Sequence, residues 1–287
     1  MKRTGFLYDE RFLNHVTGPY HPEVPERLKA IYQGIEQKGL LEHLTIIPAQ
    51  PAARMWIELV HDKDYVDRFE AACRDGETTF DSPDNHMGPE TYQTALLAVG
   101  GVLETIDRII ADEIDNAFCA VRPPGHHAER SKAMGFCYLN NAAIAAAYLQ
   151  TQWFLQRVAI IDIDVHHGNG TQHLFEEDGT VFYYSIHQHP SFAYPGTGRA
   201  FEAGEEHAPH LRAAAGGHND RTPTAAARES ARQTEDRPRR CEAVGGEHQR
   251  GQVGNGLAAR LRDDGQYPGF AAPSLDGITN PCRSPEG

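Results

Sequence analysis

The run Asp162-Ile163-Asp164-Val165-His166-His167-Gly168-Asn169-Gly170 sets two carboxylates, two imidazoles and an amide close together. On extended backbone, side chains two positions apart point the same way. Asp164 and His166 therefore predict a carboxylate oxygen and an imidazole nitrogen converging on one point past a strand end, as two ligands of a zinc ion. Zinc needs a third ligand and, in a catalytic site, an open position. The plain alternative is a strand-end aspartate that caps a helix, with His166 packed nearby. The length of the run favours the metal, and its glycines suit a tight turn that exposes backbone to a ligand.

Two further groups lie beside it in the chain. His126-His127 follows the stiff Pro123-Pro124-Gly125. Imidazole titrates near neutral pH, so adjacent histidines in a braced loop suit general acid and base work. A surface pair is the alternative. Gly135-Phe136-Cys137-Tyr138-Leu139-Asn140-Asn141 then puts an aromatic ring on a glycine-led turn, as a pocket wall requires. Tyr194, before Pro195-Gly196 in the loop from His187 to Arg199, is a second candidate wall; an ordinary surface turn is its alternative.

The elements that must carry these residues alternate. Helices are expected over Val24 to Lys38, Asp64 to Ala72, Pro89 to Ala111, Leu139 to Gln150 and Gly170 to Glu177. Gly100-Gly101, inside the third, predicts close packing. Strands are expected over Asn116 to Arg122, Val158 to Asp164 and Val181 to His187. This order argues for an α/β fold with a parallel sheet and helices on its faces. Ligands gather beyond the carboxyl ends of such strands, where the reactive residues lie.

Composition narrows the classes. Of 287 residues, 40% are hydrophobic and 23% charged, a globular profile. The net charge of −13 argues against direct nucleic-acid binding. No apolar run reaches the ~20 residues of a membrane span, and no apolar stretch follows the basic start as in a signal peptide. The five cysteines form no CxxC pair and read as reduced thiols of a cytoplasmic protein.

The motifs together resemble the histone deacetylase and acetylpolyamine amidohydrolase family. The resemblance rests on Arg122-Pro-Pro-Gly-His-His-Ala128, Gly135-Phe-Cys-Tyr-Leu-Asn-Asn141, Asp162 to Gly170, Tyr194-Pro-Gly-Thr-Gly198 and the early His21-Pro-Glu-Val-Pro-Glu-Arg-Leu28. Asn169, where class I members tend to carry Asp, gives it a class II or bacterial flavour. The strand-end order Asp-x-Asp-x-His differs from the Asp-x-His-x-Asp of two-manganese ureohydrolases such as arginase. The resemblance implies an arginase-like α/β fold and a zinc hydrolase of acylated lysine proteins or acetylpolyamines. It implies one zinc ion per chain on Asp164 and His166, His127 as general base and His126 as a second, electrostatic or acid histidine. Asp162 would orient His126, and Asn169 would orient His127. A structural potassium ion would be held by Asp162, by carbonyls near Asp164 and His166, and by Ser185 and Ile186. Gly135, Phe136 and Tyr194 would line a narrow acyl channel, with Arg27 near its floor.

The resemblance covers residues 1–204. From 205 to 287 the chain holds eleven arginines, no lysine and few large apolar residues. So low an apolar density does not offset an ordering cost of about 1–2 kcal/mol per residue. Eleven arginines against twelve acidic residues build no basic patch. The third zinc ligand and the tyrosine donor of the family, from Gly-Phe-Asp-like and Gly-Gly-Tyr-like segments, are not found. Gly216-Gly217-His218 and Asp263-Asp264-Gly265-Gln266-Tyr267 have no strand-like context. The C-terminal strands of the sheet are thus expected to be missing. A genuine low-order extension and an out-of-frame reading of a GC-rich gene both give this composition, and the coincidence with the end of the resemblance favours the second. Reading the DNA beyond codon 204 in all three frames tests it. A shifted frame is expected to encode Gly-Phe-Asp-like and Gly-Gly-Tyr-like segments; their lack in every frame would make the tail genuine.

Overall fold

The structure, a computed structural model, describes residues 2–199 and 202 and the backbone of residues 212–215. The expected low order of the rest of the tail and the segment Asp263 to Tyr267 lie outside the described residues.

Two parallel sheets carry the chain. In the first, β1 (Thr4–Leu7) is central, with β2 (Leu44–Ile47) on one side and β5 (Asn116–Cys119) on the other. In the second, β6 (Val158–Asp162), β7 (Val181–His187) and β8 (Arg212–Ala215) lie side by side in that order. A short antiparallel pair, β3 (Thr79–Phe80) and β4 (Ser82–His86), stands apart. The helices are α1 (Glu26–Gln37), α2 (Arg54–Ile57), α3 (Lys63–Arg74), α4 (Thr91–Ile110), α5 (Asn141–Trp153) and α6 (Asn169–Phe175). None is long and apolar enough to cross a membrane.

The expected helices form, with ends shifted by a few residues. α4 packs against β1, β2 and β5, burying Leu96, Val99, Leu103 and Ile106. Gly100 is required there, because a Cβ would run into the backbone of Gln50 to Ala52. Asn140 caps α5, its side chain accepting from the Ala143 N–H at 3.0 Å and satisfying one free donor of the first turn.

Three expectations change. β5 and β6 do not share a sheet: β1 holds β5, the Ala120 N–H continues that pairing to the Leu7 carbonyl, and the chain then leaves into the proline-braced loop. β6 ends at Asp162, so Asp164 lies beyond the strand. Strand-like context does precede Gly216, since the Arg212–Ala215 backbone pairs with Tyr184 to His187. An alanine run has little strand propensity, and this pairing is made by backbone.

His61 ties the loop before the site to α5. It is buried, its Nδ1 donates to the Glu129 carbonyl at 2.9 Å, and its Nε2 accepts from the Asn140 N–H at 2.9 Å. Both bonds hold together only on the neutral ring. Burial pushes its pKa down from 6.5 to about 4. The unfolded chain therefore binds the proton more readily, and the contribution of His61, full above pH 6.5, is lost progressively as pH falls from 6.5 to about 4. Urea midpoints from pH 7 to pH 4 are expected to fall more steeply for the native chain than for His61→Gln. The difference should be on the order of 3 kcal/mol; parallel curves would refute it.

Candidate active site

The end of β6 meets the loop after β5. Asp162 Oδ2 accepts from His126 Nδ1 and from the Tyr183 hydroxyl, each at 3.0 Å. Asp162 Oδ1 accepts from the Asp164 N–H at 3.1 Å. The chain then bends. Asp164 Oδ1 accepts from the His166 N–H at 2.8 Å and lies 3.0 Å from His166 Nδ1. Asp164 and His166 do converge, but through this side-chain-to-backbone turn and not through extended strand. The two-residue alternation of exposure still runs on past the strand end, with Ile163 and Val165 outside.

His127 comes from the same loop and faces the same point. Its ring lies 4.0 Å from that of His126, 5.8 Å from His166 and 5.0 Å from Tyr194, centre to centre. Its Nδ1 is 2.7 Å from Asn169 Oδ1. Burial drives the His127 pKa down to about 2, and the neighbouring His126 adds to this. Burial also depresses His126, but the hydrogen bond to Asp162 and the charges of Asp162 and Asp164 outweigh it, so its pKa is raised. Asp162 mirrors this: burial pushes it up, the bond and charge of His126 pull it down, and the net is down. Two adjacent histidines thus separate into one that favours the proton and one that stays neutral.

The wall residues are brought in unevenly. Gly135 has φ +54°, and a Cβ on it would strike the His127 ring and come within 2.9 Å of Tyr194. Tyr194 is 41% exposed and stands edge-on to His127. Phe136 lies next door, edge-on to His21, in a cleft of about 420 Å³ shared with Tyr20, Asp84 and His86. Arg27 belongs to another group: its Nη1 is 3.4 Å from Glu23, the carboxylate that also holds buried Arg122. Ser185 pairs in register with Asp162 and is buried, whereas Ile186 is half-exposed.

Sequence reasoning missed several supports. Tyr183 reaches Asp162 and the Gly168 carbonyl from β7. The signal was there, since Tyr183, Ser185 and His187 are the inward set of a strand of period two. Asn85 accepts from the Phe136 N–H at 2.8 Å and fixes that turn from β4. Glu23 and Arg122 form a paired buried bridge, which a residue separation this large hides from any local pattern.

Zinc needs three protein donors. Asp164 and His166 are two of suitable chemistry and direction, but among the described residues no three of His, Cys, Asp and Glu form a group that could hold a metal ion. The described residues alone do not fit the ion.

Comparison with known proteins decides the lineage. The Histone deacetylase domain matches residues 21–231. The chain belongs to the histone deacetylase family. A probable deacetylase of Archaeoglobus fulgidus is 38% identical over 203 residues, which are 70% of this chain and 55% of that protein. The Synechocystis protein slr0245 is 40% identical over 202 residues, 69% of this chain and 65% of its own. The crystal structure of the HDA15 HD domain superposes with TM-score 0.65 at 37% identity, covering 70% of this chain and 58% of that one. The superposition gives the chain the α/β fold of that domain, and the chain spans less than two thirds of the length of these relatives.

The packing of His127 and Tyr194 depends on the bare turn at Gly135. Gly135→Ala is expected to destabilise by about 1–3 kcal/mol through overpacking and positive φ. Urea denaturation reads the loss; an unchanged midpoint would mean that the ring and the turn yield without cost.

Proposed function

We propose that this chain carries the base-bearing part of a site that hydrolyses acyl amides of lysine side chains or of polyamines, with one zinc ion per chain. The observation that supports it is His127, neutral and amide-held, beside His126, carboxylate-held, both facing the Asp164–His166 pair. Zinc, held in part by Asp164 and His166, would supply a polarised acyl carbonyl and acidified water. The rest of the chemistry belongs to the chain. His127, with Nδ1–H donated to Asn169, keeps its Nε2 lone pair to take a proton from water. The hydroxide oxygen bonds to the acyl carbon, the carbon–nitrogen bond breaks, and the amine leaves with a proton. His126, whose pKa the bond to Asp162 raises, would supply positive charge or that proton. Gly135 and Tyr194, with Phe136 beyond, would guide the acyl chain, and Arg27 would act near the floor through Glu23. A potassium ion at Asp162, Ser185, Ile186 and the carbonyls of Asp164 and His166 would brace the paired ends of β6 and β7.

The reading carries a cost in rate. The third zinc ligand and the tyrosine donor expected of the family are not found in this sequence. One lost oxyanion donor alone typically costs ~100- to 1000-fold. The chain as written is therefore a weak enzyme, or an inert relative that binds acyl ligands. The full chain with stoichiometric zinc, assayed on an acetyl-lysine peptide and on an acetylpolyamine, is expected to turn over at least ~100-fold more slowly than a full-length relative. Any residual rate should vanish in His127→Ala. Robust turnover sinks the weak-enzyme reading; residual turnover untouched by His127→Ala sinks the base. A metal count of two manganese ions in place of one zinc would turn the assignment toward a ureohydrolase.

A further inference from the structure

Asn169 is a two-ended partner for His127. Its amide oxygen accepts and its amide nitrogen donates, and the two ends are nearly alike in shape. With the oxygen toward His127, Nδ1 carries the proton and Nε2 keeps its lone pair. With the nitrogen toward His127, Nδ1 must accept and the proton moves to Nε2. Only the first arrangement leaves a base. Asn169 and His127 are both buried, so the choice must be made by a protein group.

Glu129 is placed to make it. Its Oε1 accepts from Asn169 Nδ2. An ionised carboxylate has no proton to give, so the nitrogen of Asn169 must face Glu129 and the oxygen must face His127. The Met134 sulfur, a weak acceptor, lies 3.7 Å from the same Nδ2 and agrees. On its far side Glu129 is clasped by His173, whose Nδ1 is 2.8 and 3.0 Å from its two oxygens. The Glu129 backbone is pinned as well: its N–H donates to Lys132, and its carbonyl accepts from buried His61. The side chains of His173 and Glu129 are 44% and 18% exposed, so the chain of bonds runs from the surface inward to the imidazole.

We propose that Glu129 is a positioning residue that fixes the Asn169 amide and through it the His127 tautomer, with His173 holding the carboxylate in place. The proposal rests on the reading above only where it calls His127 the base; the tautomer itself needs neither metal nor turnover.

Histidine-ring ¹⁵N NMR on the full chain tests it. In the native protein His127 is expected to show a protonated Nδ1 and a bare Nε2. Glu129→Gln keeps an oxygen that accepts from Asn169 and should leave both resonances in place. Glu129→Ala frees the amide to turn, and the two resonances should move toward each other as tautomers mix. If Glu129→Ala does not fold, Glu129→Met fills the space without an oxygen acceptor and gives the same readout. A single Nδ1–H tautomer in the folded Ala or Met variant overturns the proposal, and so does its loss in the Gln variant. An intact tautomer without turnover counts against the catalytic reading and leaves Glu129 in its role.

Discussion

Asp162 ends a strand with a charge in a place largely closed to water. A carboxylate there is costly unless every lone pair finds a donor. His126, Tyr183 and the Asp164 N–H supply them, from the loop after β5, from β7 and from the turn past β6. Satisfying one charge therefore forces three segments, far apart in sequence, to meet. The bend that follows Asp162 is then closed by Asp164 on His166. Replacing Asp162 with alanine would leave the buried His126 Nδ1 without its acceptor, while the Tyr183 hydroxyl keeps the Gly168 carbonyl, and an orphaned donor costs more than the bond itself contributes.

The same meeting divides the labour of two neighbouring histidines. His126 and His127 share a backbone and nearly the same burial, yet their proton affinities move in opposite directions. The partners explain this. A carboxylate rewards a charged ring, whereas an amide oxygen accepts one proton and offers no net charge. Pairs of titratable groups driven apart by their surroundings mark acid and base roles. An Asp in place of Asn169 would raise His127 as Asp162 raises His126, and the contrast between them would shrink.

Much of this was legible in sequence because strand ends concentrate chemistry. Val181 to His187 was readable whole, since a β-branched and aromatic run between turn residues leaves little choice. The pairing of reactive residues at 126–127 and 162–169 also survives into space. What escaped did so for physical reasons. Thr4–Leu7 and Leu44–Ile47 are four residues each, too short for a period to emerge. Ser82–His86 is polar except for Pro83 and is held as a strand by its partner. The split into two sheets depends on which backbone edge β1 occupies, and no local pattern encodes that.

The described site is strong in handling protons and incomplete in handling charge. Its hydrogen bonds orient both histidines without any ion, because Nδ1 of each meets a protein acceptor. Asp164 and His166 Nδ1 are likewise bonded to each other. A cation drawn to that point must replace the proton between them, so its binding competes with a contact the protein already makes. Two donors give such competition little leverage; a third anionic donor would tilt it. The positioning of the bases and the retention of a metal are thus separable properties of this chain, the first secured by Asp162, Asn169 and their neighbours, the second dependent on a donor that the described residues do not contain.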